Sequence, residues 1–176
     1  VFLLAAALAL PAAQAAVGVT EIAGQDGPVT LFYPSSSEEQ NLKRGPFSLR
    51  FAPDAAPVRG NARLVVVSHG SGGSPWPHAD LARALVEGGF VVAVPLHRGD
   101  NFRDKTAIGP ESWKRRPAEV SRAIDAVGQD PRFAPLLALD KVGDKEKLAM
   151  ILQNIDQFLV QDSENETAYL KLPEDN

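Results

Sequence analysis

A glycine-rich turn between two apolar strands constrains the fold of this sequence more than any other feature. Residues 64–67 (LVVV) are a β-branched run, which is typical of a strand buried on both faces. The turn HGSGGS follows at 69–74, and a helix is predicted at 78–87 from the apolar face formed by Leu81, Ala82, Leu85 and Val86. A second apolar strand, FVVAV, occupies 90–94. The unit is therefore βαβ, which predicts parallel strands joined by a right-handed crossover.

Weaker patterns on both sides of this unit extend the prediction to an α/β fold. Alternating or continuous apolar runs mark strands, and clusters of Pro, Gly and polar residues mark loops. The further predicted elements are strands at 29–33 and 47–51, loops at 34–46, 52–61 and 96–116, and a helix that starts at Pro117 and ends at Gly128.

Composition excludes several classes of function. The 176 residues are 44% hydrophobic and 23% charged, which suits one packed domain. The net charge is −4, so no basic surface for nucleic acid is expected. The chain has no cysteine, which excludes disulfides, thiolate metal sites and a cysteine nucleophile.

The N-terminus has the pattern of a secretory signal peptide that lacks its start. Residues 1–10 are apolar, Pro11 follows, and Ala13 and Ala15 flank Gln14 as a small-x-small cleavage site. This run is too short to span a bilayer, although a buried N-terminal helix is an alternative. We expect cleavage after Ala15, a periplasmic or secreted product, and no stable membrane anchor afterwards.

The glycine-rich turn has two chemical interpretations. It could hold a phosphate at a helix N-terminus, but Pro75 stands where the third Gly of G-x-G-x-x-G belongs, and no acidic residue ends the next strand. A P-loop is also absent. The other interpretation is an oxyanion-hole loop of an α/β-hydrolase, in which glycines let the backbone aim an N–H at a developing alkoxide. We therefore expect no cofactor and no metal.

Three segments together carry a family resemblance. The stretches 65–101 (VVVSHGSGG…PLHRGDN), 115–127 and 130–143 resemble the dienelactone-hydrolase-like and platelet-activating-factor-acetylhydrolase-like branch of α/β-hydrolases. The resemblance covers about 20–143. It implies a partial α/β-hydrolase fold, with a mostly parallel sheet and flanking helices, and a small-molecule ester or lactone as substrate.

The resemblance also implies roles for individual residues. The oxyanion-hole loop would comprise His69, Gly70, Ser71, Gly72 and Gly73, with the Ser71 N–H as one donor and His69 as a brace. Asp100 and Asn101 would lie near the rim of the active site.

The sequence departs from this family where the nucleophile is due. No G-x-S-x-G occurs in the chain, and its three histidines, His69, His78 and His97, all precede that point. We expect domain limits of 1–15 (signal), 16–143 (hydrolase part) and 144–176 (acidic tail with an amphipathic helix). The expected function is an ester or lactone hydrolase truncated before the nucleophile elbow and inactive alone. The alternative is a non-catalytic exported binding module that uses the half-sheet and the tail.

Other candidates have structural alternatives that the sequence favours or leaves open. Ser71 as a nucleophile is less expected than a structural loop serine. His78 and His97 as metal ligands are less expected than a helix-start and a loop residue. Arg115 and Arg116 are expected to be a solvated pair, whereas Trp76 and Trp113 suit a substrate cleft and a packing role equally. An open edge at 64–67, covered in part by the tail, predicts self-association.

Overall fold

The computed structural model describes residues 16–139, so the predicted signal peptide and acidic tail lie outside the described residues. A six-stranded sheet with the strand order β3-β4-β1-β2-β6-β5 forms the centre. Within this part of the chain, no helix is long and apolar enough to cross a membrane. The strands and helices are β1 (Ala16–Ile22), β2 (Val29–Ser35), β3 (Gln40–Arg44), β4 (Phe47–Pro53), β5 (Leu64–Val66), α1 (Ala79–Glu87), β6 (Val91–Pro95) and α2 (Pro110–Gln129).

The predicted βαβ unit is confirmed, and it lies at one edge of the sheet. Strands β5 and β6 pair in parallel, with α1 as their crossover. Strand β6 then pairs antiparallel with β2, and β2 forms an antiparallel hairpin with β1. Strand β4 pairs in parallel with β1 and antiparallel with β3. The predicted α/β fold is thus confirmed, but the sheet was expected to be mostly parallel, whereas two of the strand pairs in residues 16–139 are parallel and three are antiparallel.

The two faces of the sheet carry separate hydrophobic cores. Because side chains alternate along a strand, Leu31 and Tyr33 of β2 face one core while Phe32 faces the other. On the first face Tyr33 meets Phe133 edge-on, with ring centroids 4.9 Å apart, beneath α2. On the second face Phe32 packs against Phe51 near α1. Burying one such ring contributes about 1.5–3 kcal/mol, so the helices are fixed on the sheet chiefly by apolar contact.

The sequence prediction missed two strands, β1 and β3. The predicted loop at 34–46 contains β3, whose residues are nearly all exposed and so lack the apolar alternation that marks a half-buried strand. Strand β1 begins directly after the predicted cleavage site, and the glycine at Gly18 makes room for the Tyr33 ring, which an added Cβ would approach to 2.3 Å. The predicted strands at 29–33 and 47–51 are confirmed, as β2 and β4.

The helix predicted from Pro117 is wrong at its start. Helix α2 begins seven residues earlier, at Pro110, so the end of the predicted 96–116 loop is helical. Pro110 takes the first-turn position, where a missing N–H costs nothing, and Pro117 lies inside the helix. The first turns bury polar side chains, Ser112, Arg116 and Glu119, so an apolar period could not reveal them. In α1, Leu81 is also exposed rather than part of the buried face.

Strand β5 leaves one edge of the sheet open within residues 16–139. The N–H of Val67 donates to Ala93 of β6, so the alternate residues, Leu64 and Val66, direct their N–H and C=O groups away from β6. No described strand pairs with that side. Unpaired strand edges template association with another chain.

We therefore expect residues 16–176 to self-associate in the micromolar range. The measurement is sedimentation velocity at increasing concentration, read as a rise in the weight-average sedimentation coefficient. A monomer at every concentration would mean that the β5 edge is covered.

Candidate active site

The loops that follow β5 and β6 meet at the carboxyl ends of these parallel strands, where open α/β sheets bind ligands. Residues 69–73 form the first loop, which leads through a 3-10 turn at Trp76–His78 into α1. Residues 97–101 form the second loop. The N–H of Phe102 donates to the carbonyl of Gly73 at 2.9 Å, so the two loops are joined by their backbones as well as by side chains.

The carbonyl of Gly70 fixes the direction of the first loop. It accepts hydrogen bonds from His69 Nδ1 at 2.8 Å and from the Gly73 N–H at 2.9 Å. The described residues contain no cis peptide, and in a trans peptide the N–H points opposite to the carbonyl. The N–H of Ser71 is therefore directed away from His69 and Gly73, and no described residue accepts a hydrogen bond from it.

Two glycines permit this tight loop. Gly72 has a φ of +63°, a left-handed backbone conformation that residues other than glycine rarely adopt. At Gly73, an added Cβ would lie 2.7 Å from the Gly70 carbonyl oxygen, which would break the contact that orients the loop. Steric constraints on the loop thus explain why glycine occupies positions 72 and 73.

His69 braces the loop as a neutral imidazole. Burial lowers its pKa to about 4, with further lowering from the neighbouring His97 and from Arg116. The backbone N–H of His97 donates to His69 Nε2 at 3.3 Å, so Nε2 has no proton and Nδ1 has one. That proton is donated to the Gly70 carbonyl. The hydrogen bonds around the ring therefore select one tautomer of His69.

Asp100, in the second loop, is buried and forms hydrogen bonds with the first loop. Its Oδ1 accepts hydrogen bonds from Ser71 Oγ and the Gly72 N–H, each at 2.7 Å. Its Oδ2 accepts hydrogen bonds from Ser112 Oγ at 2.9 Å and Arg116 at 3.0 Å. Burial raises the pKa of Asp100, but these hydrogen bonds and the guanidinium charge outweigh it and hold the pKa below its ordinary value.

Arg116 joins α2 to the same loop. Its guanidinium binds Asp100 and also donates to the carbonyl of His69 at 2.7 Å. The prediction of a solvated arginine pair is therefore wrong for Arg116, which is buried, while Arg115 is largely exposed. The reason is that residue 116 is helical rather than part of a loop, and Arg116 lies one turn before Val120 on the buried face of α2.

Asn101 and Asp100, predicted near the rim, are both buried in the second loop. The Asn101 side chain donates to the His97 carbonyl at 2.6 Å and accepts from the N–H groups of Arg103 and Asp104. Asn101 thus stabilises the second loop, whereas Asp100 stabilises the first loop, at 69–73. Their position relative to a bound substrate stays a prediction.

A second polar cluster, which the sequence prediction missed, lies beside the loop. Ser68 Oγ is 2.8 Å from His97 Nε2, and His97 Nδ1 is 2.7 Å from Glu119 Oε2. The rings of His97 and His69 are 4.8 Å apart, so this cluster adjoins the brace of the loop. A helical spacing of polar residues, at 112, 116 and 119, was the signal in the sequence that could have shown Glu119 facing inward.

The remaining candidates are distributed around the site. Trp76 is buried and Trp113 is exposed. Within the described residues, no group of three or more His, Asp or Glu side chains could hold a metal. An open groove of about 720 Å³ adjoins the end of the first loop and is lined by Ser74, Trp76 and Phe102, among others.

No protein-family profile and no curated protein matches the chain. Among solved structures four chains match, one of them the ferulic acid esterase from Streptomyces cinnamoneus. It is 18% identical to this chain, with a TM-score of 0.56, and the match covers 85% of this chain and 58% of the esterase. The chain thus spans less than two thirds of that esterase. At this identity the likeness shows the fold alone, which is of the α/β-hydrolase type.

The Asp100–Arg116 pair yields a stability prediction. Asp100→Asn keeps the shape but removes the carboxylate charge that the buried guanidinium of Arg116 binds, and we expect the free energy of unfolding to fall by about 3–5 kcal/mol at neutral pH. Because the pKa of Asp100 is lowered in the folded state, this stabilisation is present above its ordinary pKa and is lost as the pH falls through the lowered value.

The measurement is urea unfolding of both proteins across acidic and neutral pH. Asp80→Asn, an exposed carboxylate in the first turn of α1, is the matched control and should change little. A constant difference between Asp100→Asn and the parent down to the most acidic condition would contradict an ionised Asp100.

Proposed function

We propose that this chain is part of a carboxylic-ester or lactone hydrolase of the dienelactone-hydrolase type, in which residues 69–73 form the oxyanion hole. One observation carries the proposal. The Gly70 carbonyl is held inward by two hydrogen bonds, so the Ser71 N–H is directed outward without a described acceptor. The neighbouring Gly72 N–H is already bound to Asp100.

The chemistry requires a fixed N–H where negative charge develops. When a nucleophile attacks an ester carbonyl, the carbonyl oxygen becomes an alkoxide. A preorganised donor at hydrogen-bond distance from that oxygen lowers the barrier by about 2.7–4 kcal/mol. The Asp100–Arg116 pair and His69 hold the loop before substrate arrives, so little reorganisation is required. This rigidity supports Ser71 as the donor.

The substrate in this proposal is a small ester or lactone. In this proposal an acyl or alcohol group would bind in the groove beside Ser74, whose lining includes Trp76 and the exposed Phe102. The structural neighbour is a ferulic acid esterase, which agrees with an ester substrate in general.

The 176 residues do not contain the nucleophile elbow that the family uses, since G-x-S-x-G is absent from them. In this proposal they supply the oxyanion-hole half of the site and do not turn over esters alone. We also propose an exported protein, because cleavage after Ala15 would leave β1 intact from its first residue.

The open β5 edge favours the second candidate, a non-catalytic exported binding module. Such a module would add a strand of a partner to the edge at Leu64–Val66. Its ligand would compete with self-association and would leave the outward N–H of Ser71 unused.

An anion titration tests the oxyanion hole directly. Butyrate, the carboxylate product of a short-chain ester, should shift the backbone amide resonance of Ser71 in a nitrogen–proton correlation spectrum. The Gly72 and Gly73 amides already have acceptors and should shift less. A shift at Gly72 alone, or no shift in the loop at saturating butyrate, would contradict the assignment of the donor.

Turnover is the second test. We expect the steady-state hydrolysis of p-nitrophenyl butyrate by residues 16–176 to equal that of Ser71→Ala. A nucleophile with its base contributes several powers of ten in rate, so hydrolysis by a complete site would be readily detected. Steady-state turnover that disappears in Ser71→Ala would show that these residues already hold a complete esterase site with Ser71 at its centre.

A further inference from the structure

We propose that Ser68, His97 and Glu119 form a nucleophile–base–acid relay, in which Ser68 accepts an acyl or phosphonyl group from an activated substrate. The oxyanion-hole assignment does not use these three residues. The inference is therefore independent of the proposed function, and its failure would leave that function standing.

The distances are those of a hydrogen-bonded relay. Ser68 Oγ lies 2.8 Å from His97 Nε2, and Glu119 Oε2 lies 2.7 Å from His97 Nδ1. A carboxylate only accepts hydrogen bonds, so an ionised Glu119 places the proton of neutral His97 on Nδ1. The Nε2 atom is then the acceptor that faces the Ser68 hydroxyl. A positioned base against a hydroxyl and a carboxylate behind the base are the two contacts that activate a serine.

The location of the relay in the sheet agrees with a reactive site. Ser68 follows β5 and His97 follows β6, so both lie at the carboxyl edge, and Glu119 reaches them from α2. Ser68 is partly exposed, whereas His97 and Glu119 are buried. Ser68 is thus the most accessible of the three residues.

The cost of burial also points to chemistry rather than to packing. A buried carboxylate loses several kcal/mol of hydration, and an apolar replacement of a buried ionic pair is often as stable or more so. Besides His97, Glu119 lies 3.9 Å from the largely exposed Arg115, and it also interacts electrostatically with Arg122. The loop already has the Asp100–Arg116 pair to hold it.

The reaction balances with these three residues. Ser68 Oγ forms a bond to the acyl carbon while its proton moves to His97 Nε2, and Glu119 stabilises the imidazolium through Nδ1–H. The bond to the leaving group breaks, and the proton passes from Nε2 to that group. The products are acyl-Ser68 and a neutral alcohol.

The test is covalent labelling of residues 16–176 with a fluorophosphonate. The Ser68 Oγ–P bond forms, the P–F bond breaks, fluoride leaves, and His97 takes the proton. Peptide mass spectrometry should place one adduct per chain on Ser68. Glu119→Gln, which is nearly isosteric, should slow labelling by about a hundredfold or more, since it removes the carboxylate that orients the base.

Ser48→Ala is the matched control, because Ser48 is exposed on β4 and no described imidazole is hydrogen-bonded to it. It should label at the parent rate, and circular dichroism should show every variant folded. An adduct on another serine, no adduct on the folded parent chain, or equal rates for Glu119→Gln and the parent would each overturn the relay.

Discussion

The buried pair of Asp100 and Arg116 is the interaction on which the candidate site depends. The carboxylate binds the 69–73 loop through Ser71 and Gly72, and the guanidinium binds the same loop through the His69 carbonyl. Together they connect three parts of the chain that sequence separates: the turn after β5, the turn after β6 and helix α2. Because two charges are removed from water, losing one of these hydrogen bonds is costly, which favours a single conformation of the loop.

The apolar contacts and the polar contacts stabilise different parts of the structure. The two hydrophobic cores fix the helices on the sheet, and their energy depends on area rather than on direction. The polar contacts at the carboxyl edge depend on direction, and they decide where individual N–H and hydroxyl groups point. The hydrophobic cores therefore determine the fold class of this protein, whereas the hydrogen bonds at the carboxyl edge of the sheet determine what the candidate site can bind.

The parts of this structure that are local in sequence were predictable, and the parts that join distant segments were not. The βαβ unit follows from adjacent apolar runs and glycines. Strand β3 was missed because its residues are exposed, and the start of α2 because its inward side is polar there. The partners of Asp100 and His97 lie on another element, so no spacing within one segment reveals them. A polar helical period at 112, 116 and 119 was the available signal.

The neutral state of His69 has a consequence for tolerance of acid. An unfolded histidine takes up a proton near pH 6.5, whereas His69 resists protonation until about pH 4. Between these values the unfolded chain binds more protons than the folded one, so this residue withdraws about 3 kcal/mol of stability as the medium acidifies. Yet the tautomer that orients the Gly70 carbonyl is unchanged over that interval. The molecule therefore keeps the shape of its loop in mild acid for as long as it stays folded, and the pH dependence that His69 introduces is one of stability rather than of loop conformation.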